Sequence, residues 1–381
     1  MQTNKLIIKA LVVFLVIAGN LHGQTSQSKL PAWALGSFVR PSGVNPIILP
    51  NSESRFTDPM SGKSLDWESN DTFNPAAVAK DGKIYVLYRA EDKSGEGIGG
   101  RTSRIGLAES TDGLKVKRNS EPVVFPANDN QKEFEWRGGC EDPRVAVTEN
   151  GTYLMLYTQW NNKVPRLAAA TSKDLIHWKK SGPVFREAYQ GKFFNMATKS
   201  ASVLTKVKKG KLVIAKINGA YWMYWGEANV YAATSTDLVN WKPLVESNGE
   251  LKILMSPRKG YFDSQLTECG PPSIITSKGI LLMYNGKNLP GSDGDANYTV
   301  GAYCAGQALF SLKNPEKLVS RLDKPFFVPT ESFEKSGQYP AGTVFIEGLV
   351  FFKKKWFLYY GCADSRVAVA VYDPAKPLRK D

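Results

Sequence analysis

One pattern recurs five times along the chain: a short apolar strand, a turn rich in Gly, Asp or Lys, and then a strand rich in aromatic residues. Each copy predicts a β-hairpin, because apolar side chains alternate along its strands and pairs such as Asn150 with Gly151 favour tight turns. The hairpins begin at Phe73, Cys140, Lys199, Cys269 and Ala341. Repetition on this scale constrains the fold more than any single residue.

Most of the hairpins are followed by a further strand. These strands begin at Ser103, Arg166, Asn229, Val300 and Ser365. A period of roughly 60 to 70 residues, with three or four strands per unit, is typical of propeller blades. No stretch after residue 25 has a long helical period. The sequence therefore predicts an all-β chain that folds as a five-bladed β-propeller.

A shorter repeat lies within the second and third units. Residues 172–178 and 235–241 both carry Ser, Asp and Leu, followed by a tryptophan. We interpret Trp178 and Trp241 as blade-packing residues, because a buried aromatic ring at a repeated position fits a core role.

The first residues have the layout of a secretory signal peptide. Lys5 and Lys9 precede the apolar run from Ala10 to Gly19, and a polar segment follows. An uncleaved anchor is the competing interpretation, but a bilayer span needs about 20 apolar residues and this run is about half as long. We expect cleavage near Gly23 and export to the periplasm or the medium, without stable membrane insertion.

The rest of the chain is expected to form one domain, since a closed propeller uses this much sequence in a single ring. Residues 24–70 are rich in proline and predict an irregular arm packed on the ring, and residues 71–381 would form the propeller.

The chain is basic, with a formal charge of +13, which becomes +11 when Lys5 and Lys9 are removed with the signal. A nucleic-acid partner is one interpretation of such a charge. However, the lysines cluster at predicted hairpin turns, including 206–211 and 353–355, where they would be solvated and would protect sheet edges. We therefore expect no nucleic-acid partner.

Four cysteines show no metal-binding spacing and no companion histidine cluster, so the sequence indicates neither a metal site nor a cofactor. An oxidising compartment permits a disulfide, but buried free thiols are the simpler interpretation.

The strands that line a propeller's central depression begin with unusually polar residues. Candidates for that depression are Asn74, Glu91, Asp92, Glu141, Asp142, Lys199 and Glu268. Carboxylates that converge on one concave site repel each other and are retained where a function needs them. Cleavage of a glycosidic bond needs one carboxylic acid and a second carboxylate, so this set of residues suits it. Aromatic residues nearby, such as Tyr224, are able to stack on sugar faces, although most are expected in the core.

The run from Gly138 to Arg144, GGCEDPR, resembles the signature of glycoside hydrolase family 130, whose members are five-bladed propellers that act on β-mannosides. FNPAA at Phe73, YRAED at Tyr88, SRIGLAES at Ser103 and YGCAD ending at Asp364 extend the resemblance. The resemblance implies that Asp142 is the general acid and acts through a hydroxyl of the bound mannose. It also implies that six polar residues lie in or near the mannose site: Asn74, Arg89, Asp92, Arg104, Arg144 and Asp364. For the three arginines, charge balance beneath the carboxylates is an equal alternative.

One segment departs from the family pattern. Phosphorylases of the family hold phosphate with arginine, lysine and a histidine in an HRP-like segment, and here that segment reads WMYWGE, ending at Glu227. His22 falls in the expected signal peptide and His177 in a packing repeat, whereas Lys199 is retained. Carboxylates at Glu227 and Glu268 would repel phosphate and suit a water molecule that must lose a proton.

The sequence therefore predicts an inverting hydrolase that releases mannose from β-1,2-linked manno-oligosaccharides. Asp142 would be its acid, and Glu227 and Glu268 would activate the water. The β-1,2 linkage follows from resemblance to the exported mannosidases of the family. A mannoside phosphorylase and a catalytically silent sugar-binding propeller remain as alternatives.

Overall fold

The computed structural model describes residues 30–97 and 99–376, so the expected signal peptide over 1–23 lies outside the described residues. Regular structure in the described part is nearly all β, which confirms the predicted all-β class. The helical elements there are the single turn α1 (Lys132–Glu135) and the 3₁₀ turns Ala188–Gly191, Gly291–Asp293 and Ser332–Glu334.

After a small two-stranded ribbon, the strands form antiparallel groups in chain order. The ribbon contains β1 (Phe56–Thr57) and β2 (Ser64–Leu65). The first group contains β3 (Asp71–Lys80), β4 (Lys83–Glu91), β5 (Ser103–Ser110) and β6 (Lys117–Arg118). The second group contains β7 (Gly139–Val147), β8 (Tyr153–Trp160), β9 (Arg166–Ser172) and β10 (Lys179–Pro183).

Three further groups follow. The third contains β11 (Ala201–Lys208), β12 (Lys211–Ile214), β13 (Lys216–Ile217), β14 (Ala220–Trp225), β15 (Tyr231–Ser235) and β16 (Lys242–Pro243). The fourth contains β17 (Leu266–Cys269), β18 (Ser273–Thr276), β19 (Gly279–Lys287), β20 (Tyr303–Phe310) and β21 (Leu318–Arg321). The fifth contains β22 (Val344–Phe352), β23 (Lys355–Cys362) and β24 (Arg366–Tyr372). Every predicted hairpin and every predicted following strand is therefore present.

The hairpin turns have the chemistry that the sequence indicates. Asp81 and Gly82 both have left-handed backbone angles, with φ of 47° and 74°, between the paired residues Lys80 and Lys83. Two consecutive left-handed residues match the right-handed twist of the flanking strands, which is why Asp-Gly pairs favour this turn.

The short repeat around Trp178 and Trp241 is a hydrogen-bonded loop. The hydroxyl of Ser172 accepts from the amide of Leu175 at 2.9 Å, and Ser235 accepts from Leu238 at 2.9 Å. Trp241 is buried and Trp178 half-buried, which supports the packing interpretation. A third copy begins at Ser110, whose hydroxyl accepts from the amide of Gly113 at 2.8 Å.

The hydrophobic core lies between neighbouring groups. Each cluster of buried side chains in the described chain contains residues from at least two groups, and the fifth group shares one with the first. Representative pairs are Leu107 with Met155, Leu156 with Val203, Tyr224 with Leu282, Leu281 with Ile346, and Val350 with Val86. Burying one such side chain stabilises a fold by about 1.5–3 kcal/mol, so these contacts hold each group against both neighbours.

Residues 39–48 lie against the last group. Val39 and Ile48 form antiparallel bridges to Val371 and Val367, so this segment extends the outer edge of β24. Arg40 also pairs with the buried Glu334 at 2.6 Å. The segment therefore protects a sheet edge that would otherwise be open.

The basic turns behave as the sequence suggests. Lys206 and Lys208 are exposed and lie 3.5 and 2.9 Å from Glu149.

All four cysteines, Cys140, Cys269, Cys304 and Cys362, are buried and free. Within the described ranges, no helix has the length and apolar character needed to cross a bilayer.

Candidate active site

Irregular backbone directs polar side chains away from the regular strand pairing near the starts of β3, β7, β11 and β22. Asn74, Asp142 and Ser200 have φ of 45°, 49° and 56°, in the left-handed region. The pairing register shifts at Asn74 in β3, at Asp142 in β7 and at Glu347 in β22. An extra residue in a strand redirects its side chain, and a left-handed non-glycine residue costs about 1–3 kcal/mol. Such features concentrate at functional sites.

Asp142 is the centre of a buried polar cluster. Its Oδ1 accepts from Asn74 Nδ2 at 2.9 Å and from Arg89 at 3.0 Å, and its Oδ2 lies 3.7 Å from Lys199 Nζ. Burial alone would raise its pKa, but Arg89, Lys199, Arg144 and the bond from Asn74 outweigh it and hold the pKa well below the ordinary range. The Asp142 carboxyl is therefore ionised in the free protein at neutral pH.

Arg89 joins four acceptors beneath this cluster. Its guanidinium donates to Ser103 Oγ at 2.9 Å, to Glu91 at 2.6 Å and to Glu141 at 2.9 Å, besides Asp142. Its donors are thus committed to the protein, and Glu91 is fully buried behind it. Burial raises the pKa of Glu141, and Arg89 opposes that rise. Arg89 therefore holds Asp142 from the buried side of the cluster, Glu91 holds Arg89, and neither residue faces solvent.

Glu268 forms the second carboxyl centre. It accepts a short hydrogen bond from the hydroxyl of Ser200. Burial and the nearby charge of Glu227 raise its pKa to about 7, against the opposing effects of Lys199 and Arg144. Glu268 therefore exchanges its proton near neutral pH, which is what a group that accepts a proton from water requires.

Glu227 reaches Glu268 because of a glycine turn. Gly226 has φ of 124°, and a Cβ there would lie 2.1 Å from the carbonyl oxygen of Asn229. The turn is pinned to β17, since Thr267 N donates to Glu227 O at 3.2 Å. Glu227 is exposed at this position. Only glycine fits this turn, and the turn places an open carboxylate beside a buried one.

Lys199 lies between the two carboxyl centres. Burial lowers its pKa, but Asp142, Glu141, Glu227 and Glu268 outweigh burial, and the pKa is raised. Its side chain is 22% exposed, whereas that of Arg89 is 5% exposed. Lys199 is therefore a cation that a bound molecule is able to reach.

Arg144 does not have the role that the resemblance implied. Its guanidinium donates to the backbone oxygens of Asp142 at 3.0 Å, Cys269 at 2.9 Å and Gly270 at 3.4 Å, and lies 2.9 Å from Glu347 Oε1. The side chain is only 1% exposed. Its donors are used within the protein, so charge balance and backbone support, the alternative that the sequence left open, describe it better than sugar binding.

Arg104 and Asp92 form a separate buried network. Arg104 pairs with Asp92 at 2.7 Å and with Asp58 at 3.0 Å, and its side chain has no exposed surface. It follows Ser103 in β5 and therefore points to the opposite face of the strand from the residue that Arg89 contacts. These two candidates lie beside the Asp142 cluster and not within it.

Tyr224 is a core residue, so its assignment as a substrate-binding residue is wrong. It is fully buried, its ring stacks on Phe310 with centroids 4.5 Å apart, and its hydroxyl donates to Pro315 O at 2.8 Å. Alternation along β14 turns it toward the core between the third and fourth groups.

Asp364 joins the Asp142 cluster from the end of the fifth hairpin. It has φ of 51° and is half-buried. Burial raises its pKa to about 7, while Arg89 opposes and Asp142 adds to that rise. A second carboxyl that titrates near neutral pH therefore flanks Asp142.

Sequence reasoning missed three residues of the site. Ser200 follows Lys199 as Asp142 follows Glu141, so its position in the repeat was a usable signal. Glu347 is an acidic residue inside an otherwise apolar strand, VFIEGLVFF, which is a second usable signal. Arg101 donates to Gln338 at 2.5 Å and lies 3.6 Å from Glu91, but no local pattern marks it.

The positions of the acidic, cysteine and histidine side chains determine whether a metal ion or a phosphate group has ligands here. The described ranges contain no group of three or more His, Cys, Asp or Glu side chains placed to hold a metal ion. His177, the histidine in the described part of the chain, is exposed in its loop and pairs with Asp174 at 2.7 Å. It does not contribute to the Asp142 cluster.

Comparison with known proteins identifies the family of the chain. A model of glycoside hydrolase family 130, described as β-1,4-mannooligosaccharide phosphorylase, matches residues 51–376. A 1,2-β-oligomannan phosphorylase from Thermoanaerobacter sp. (strain X514) is 30% identical over 86% of this chain and 95% of its own length. A solved glycosyl hydrolase from Bacteroides ovatus is 61% identical, with a TM-score of 0.91, over 93% of this chain and 99% of the other.

A further solved structure also matches at 61% identity and a TM-score of 0.91, over 93% of this chain and 99% of its own. It is reported with the finding that the GH130 family of mannoside phosphorylases contains glycoside hydrolases that target β-1,2 mannosidic linkages in Candida mannan. The family match covers well over half of the sequence, and the chain belongs to glycoside hydrolase family 130.

Proposed function

We propose that this protein is an inverting β-1,2-mannosidase that releases mannose from manno-oligosaccharides. The observation that carries the proposal is the charge pattern of the site. Arg89, Arg104 and Arg144 are each committed to protein acceptors, whereas Glu227 and Glu268 form an acidic side where a phosphate dianion would be repelled. A neutral water molecule fits that side.

The catalytic steps follow from the two carboxyl centres. Asp142 gives its proton to a hydroxyl of the bound mannose, and that hydroxyl gives its own proton to the glycosidic oxygen as the bond to the anomeric carbon breaks. Water attacks the same carbon from the opposite face and loses a proton to Glu268, with Glu227 orienting it. Inversion requires enough space between the acid and the base for that water.

Asp142 must gain a proton before it can act, because the free protein holds it ionised. A sugar bound between Asp142 and Lys199 separates the ammonium from the carboxylate and removes water. Both changes raise the pKa of a carboxyl group. Turnover then leaves Asp142 ionised and Glu268 protonated. Glu268 releases its proton to solvent, and Asp142 takes one up from solvent when the next substrate raises its pKa.

The proposal includes the architecture around the site. We propose that the antiparallel groups are the blades of a five-bladed propeller built from residues 71–381, with residues 24–70 as an arm. The shared core between the fifth and first groups supports this arrangement.

We also propose that residues 1–23 are a signal peptide and that the enzyme is exported. Phosphorolysis outside the cell would lose the energy that a sugar phosphate conserves inside it.

Product analysis separates hydrolysis from phosphorolysis. Mature protein is incubated with β-1,2-mannobiose, with and without millimolar phosphate, and β-1,4-mannobiose serves as the matched substrate. We expect free mannose at the same rate in both buffers, with the α-anomer of the released mannose formed first in NMR spectra, and slower cleavage of the 1,4 linkage. Phosphate-dependent formation of mannose 1-phosphate would contradict the proposal and favour the alternative that Lys199 serves phosphate.

A further inference from the structure

Arg144 and Glu347 form a fully buried pair next to the Asp142 cluster. The side chains of Arg144 and Glu347 are 1% and 0% exposed, and they lie 2.9 Å apart. Neither carboxyl oxygen of Glu347 has a partner with hydrogen-bond geometry, so its contact with Arg144 is one of distance and charge. A buried carboxyl group without hydrogen bonds often stabilises a fold less than an apolar side chain of the same size would. A role in stability alone therefore explains this pair poorly.

The contacts of Arg144 show what the pair holds together. One nitrogen donates to the carbonyl of Asp142, and another donates to the carbonyl of Cys269, the residue that follows Glu268. Arg144 lies in β7, Cys269 in β17 and Glu347 at the register shift of β22. The guanidinium thus bridges the backbone of both carboxyl centres, and Glu347 approaches it from a third strand.

We propose that Arg144 and Glu347 act as a clamp that fixes the separation of Asp142 and Glu268, and that Glu347 is a positioning residue for the reaction. This inference rests on the proposed roles of Asp142 and Glu268. An inverting hydrolase depends on that separation, because the attacking water must fit between the two carboxyl groups and the anomeric carbon. A small displacement of a reacting group is enough to lower a rate about 100-fold.

The clamp does not depend on the charge of Glu347, since Arg144 is able to donate to a carboxyl oxygen in either protonation state. It does depend on the fork of the guanidinium. A lysine at position 144 would keep one positive charge but would not reach two carbonyls and a carboxyl together. Substitutions at positions 144 and 347 therefore separate the effect of side-chain shape from the effect of charge.

The experiment compares Glu347→Leu, Glu347→Gln and Arg144→Lys on β-1,2-mannobiose. We expect Glu347→Leu and Arg144→Lys to lower kcat about 10- to 100-fold with KM changed by less than about threefold, because binding is kept while alignment is lost. Glu347→Gln should restore kcat to within about fivefold of the wild type, since its amide oxygen keeps the shape of the carboxyl group and its contact with Arg144.

Glu334→Leu is the matched control. Glu334 is also fully buried and paired with an arginine, Arg40, but its partners lie outside the Asp142 cluster. It should lower the melting temperature and leave kcat within about twofold. An unchanged kcat in folded Glu347→Leu, or an equal loss of kcat in Glu334→Leu, would overturn the clamp, and so would a glutamine variant as slow as the leucine variant.

If Glu347→Leu does not fold, the Arg144→Lys and Glu347→Gln measurements decide the question. A normal kcat for Arg144→Lys would then overturn the proposal. Wild-type product analysis is run in the same series, so formation of mannose 1-phosphate would reject the hydrolase without obscuring whether the clamp controls kcat.

Discussion

The two halves of the site hold carboxyl groups in opposite electrostatic surroundings. Around Asp142, Arg89 and Lys199 lie within 3.0 and 3.7 Å and lower its pKa. Around Glu268, burial and the neighbouring Glu227 raise the pKa to about 7. Two carboxyl groups whose pKa values are pushed apart are able to take different roles at one pH. The difference teaches that residue type alone does not assign the acid and the base.

The largest expected effect comes from removing Asp142, the proposed general acid on the cationic half. Asp142→Asn should lower kcat on β-1,2-mannobiose by about 10² to 10⁴, because an amide has no carboxylic proton to transfer. Asparagine tolerates a left-handed backbone and still accepts from Asn74 and Arg89, so the fold should persist. Circular dichroism checks the fold. A variant with more than a tenth of the wild-type rate would remove Asp142 from the mechanism.

The pH profile tests the anionic half. Glu268 binds a proton below about pH 7 and is ionised above it, so kcat/KM should rise as pH increases through about 7 if Glu268 is the base. Glu227→Gln removes a negative charge that raises the pKa of Glu268, and the rise should then move to lower pH.

Asp364→Asn is the control for this profile, because Asp364 also has a raised pKa of about 7. The variant should keep the rise near neutral pH if Glu268 causes it. A wild-type rate that instead falls as pH increases through 7 would make Glu268 the proton donor and exchange the roles of the two halves.

The smallest expected effect concerns Tyr224, which belongs to neither half. Tyr224→Phe should leave KM and kcat within about twofold of the wild type, because the ring is buried between strand groups. The free energy of unfolding should fall by about 1–3 kcal/mol, since the carbonyl of Pro315 loses its donor. Chemical denaturation measures the loss. A large increase in KM would return Tyr224 to the sugar site.

The strands were predictable because their signals are local. Alternation and turn residues such as Asp81 and Gly82 determine the hairpins without knowledge of distant contacts. Asp142, Lys199 and Glu268 were also predictable as a group, because they occupy equivalent positions near the starts of repeated units. Three-dimensional pairing is what the sequence could not specify, and it decides that Arg144 faces backbone carbonyls and that Arg104 faces Asp58.

Tyr224 is a second residue whose role depends on three-dimensional pairing that the sequence does not specify. An aromatic residue near a polar strand end suits a sugar platform and a core equally well, and only the face of the strand separates the two. The face depends on pairing with β15 and on the neighbouring group, which are not local properties. Ser200 and Glu347, by contrast, carried positional signals that comparison of the repeats could have found.

The register shifts at Asn74, Asp142 and Glu347 have a consequence for how this protein can change over time. Asn74 and Glu347 are each the extra residue of their strand, and Asp142 with Pro143 opposes a single partner residue, so these three side chains lie outside the regular strand pairing. Substitution there alters the chemistry of the site while the sheets keep their pairing. The scaffold is therefore evolvable at these positions, within the limit that the left-handed backbone of Asn74 and Asp142 sets on the residues that fit there.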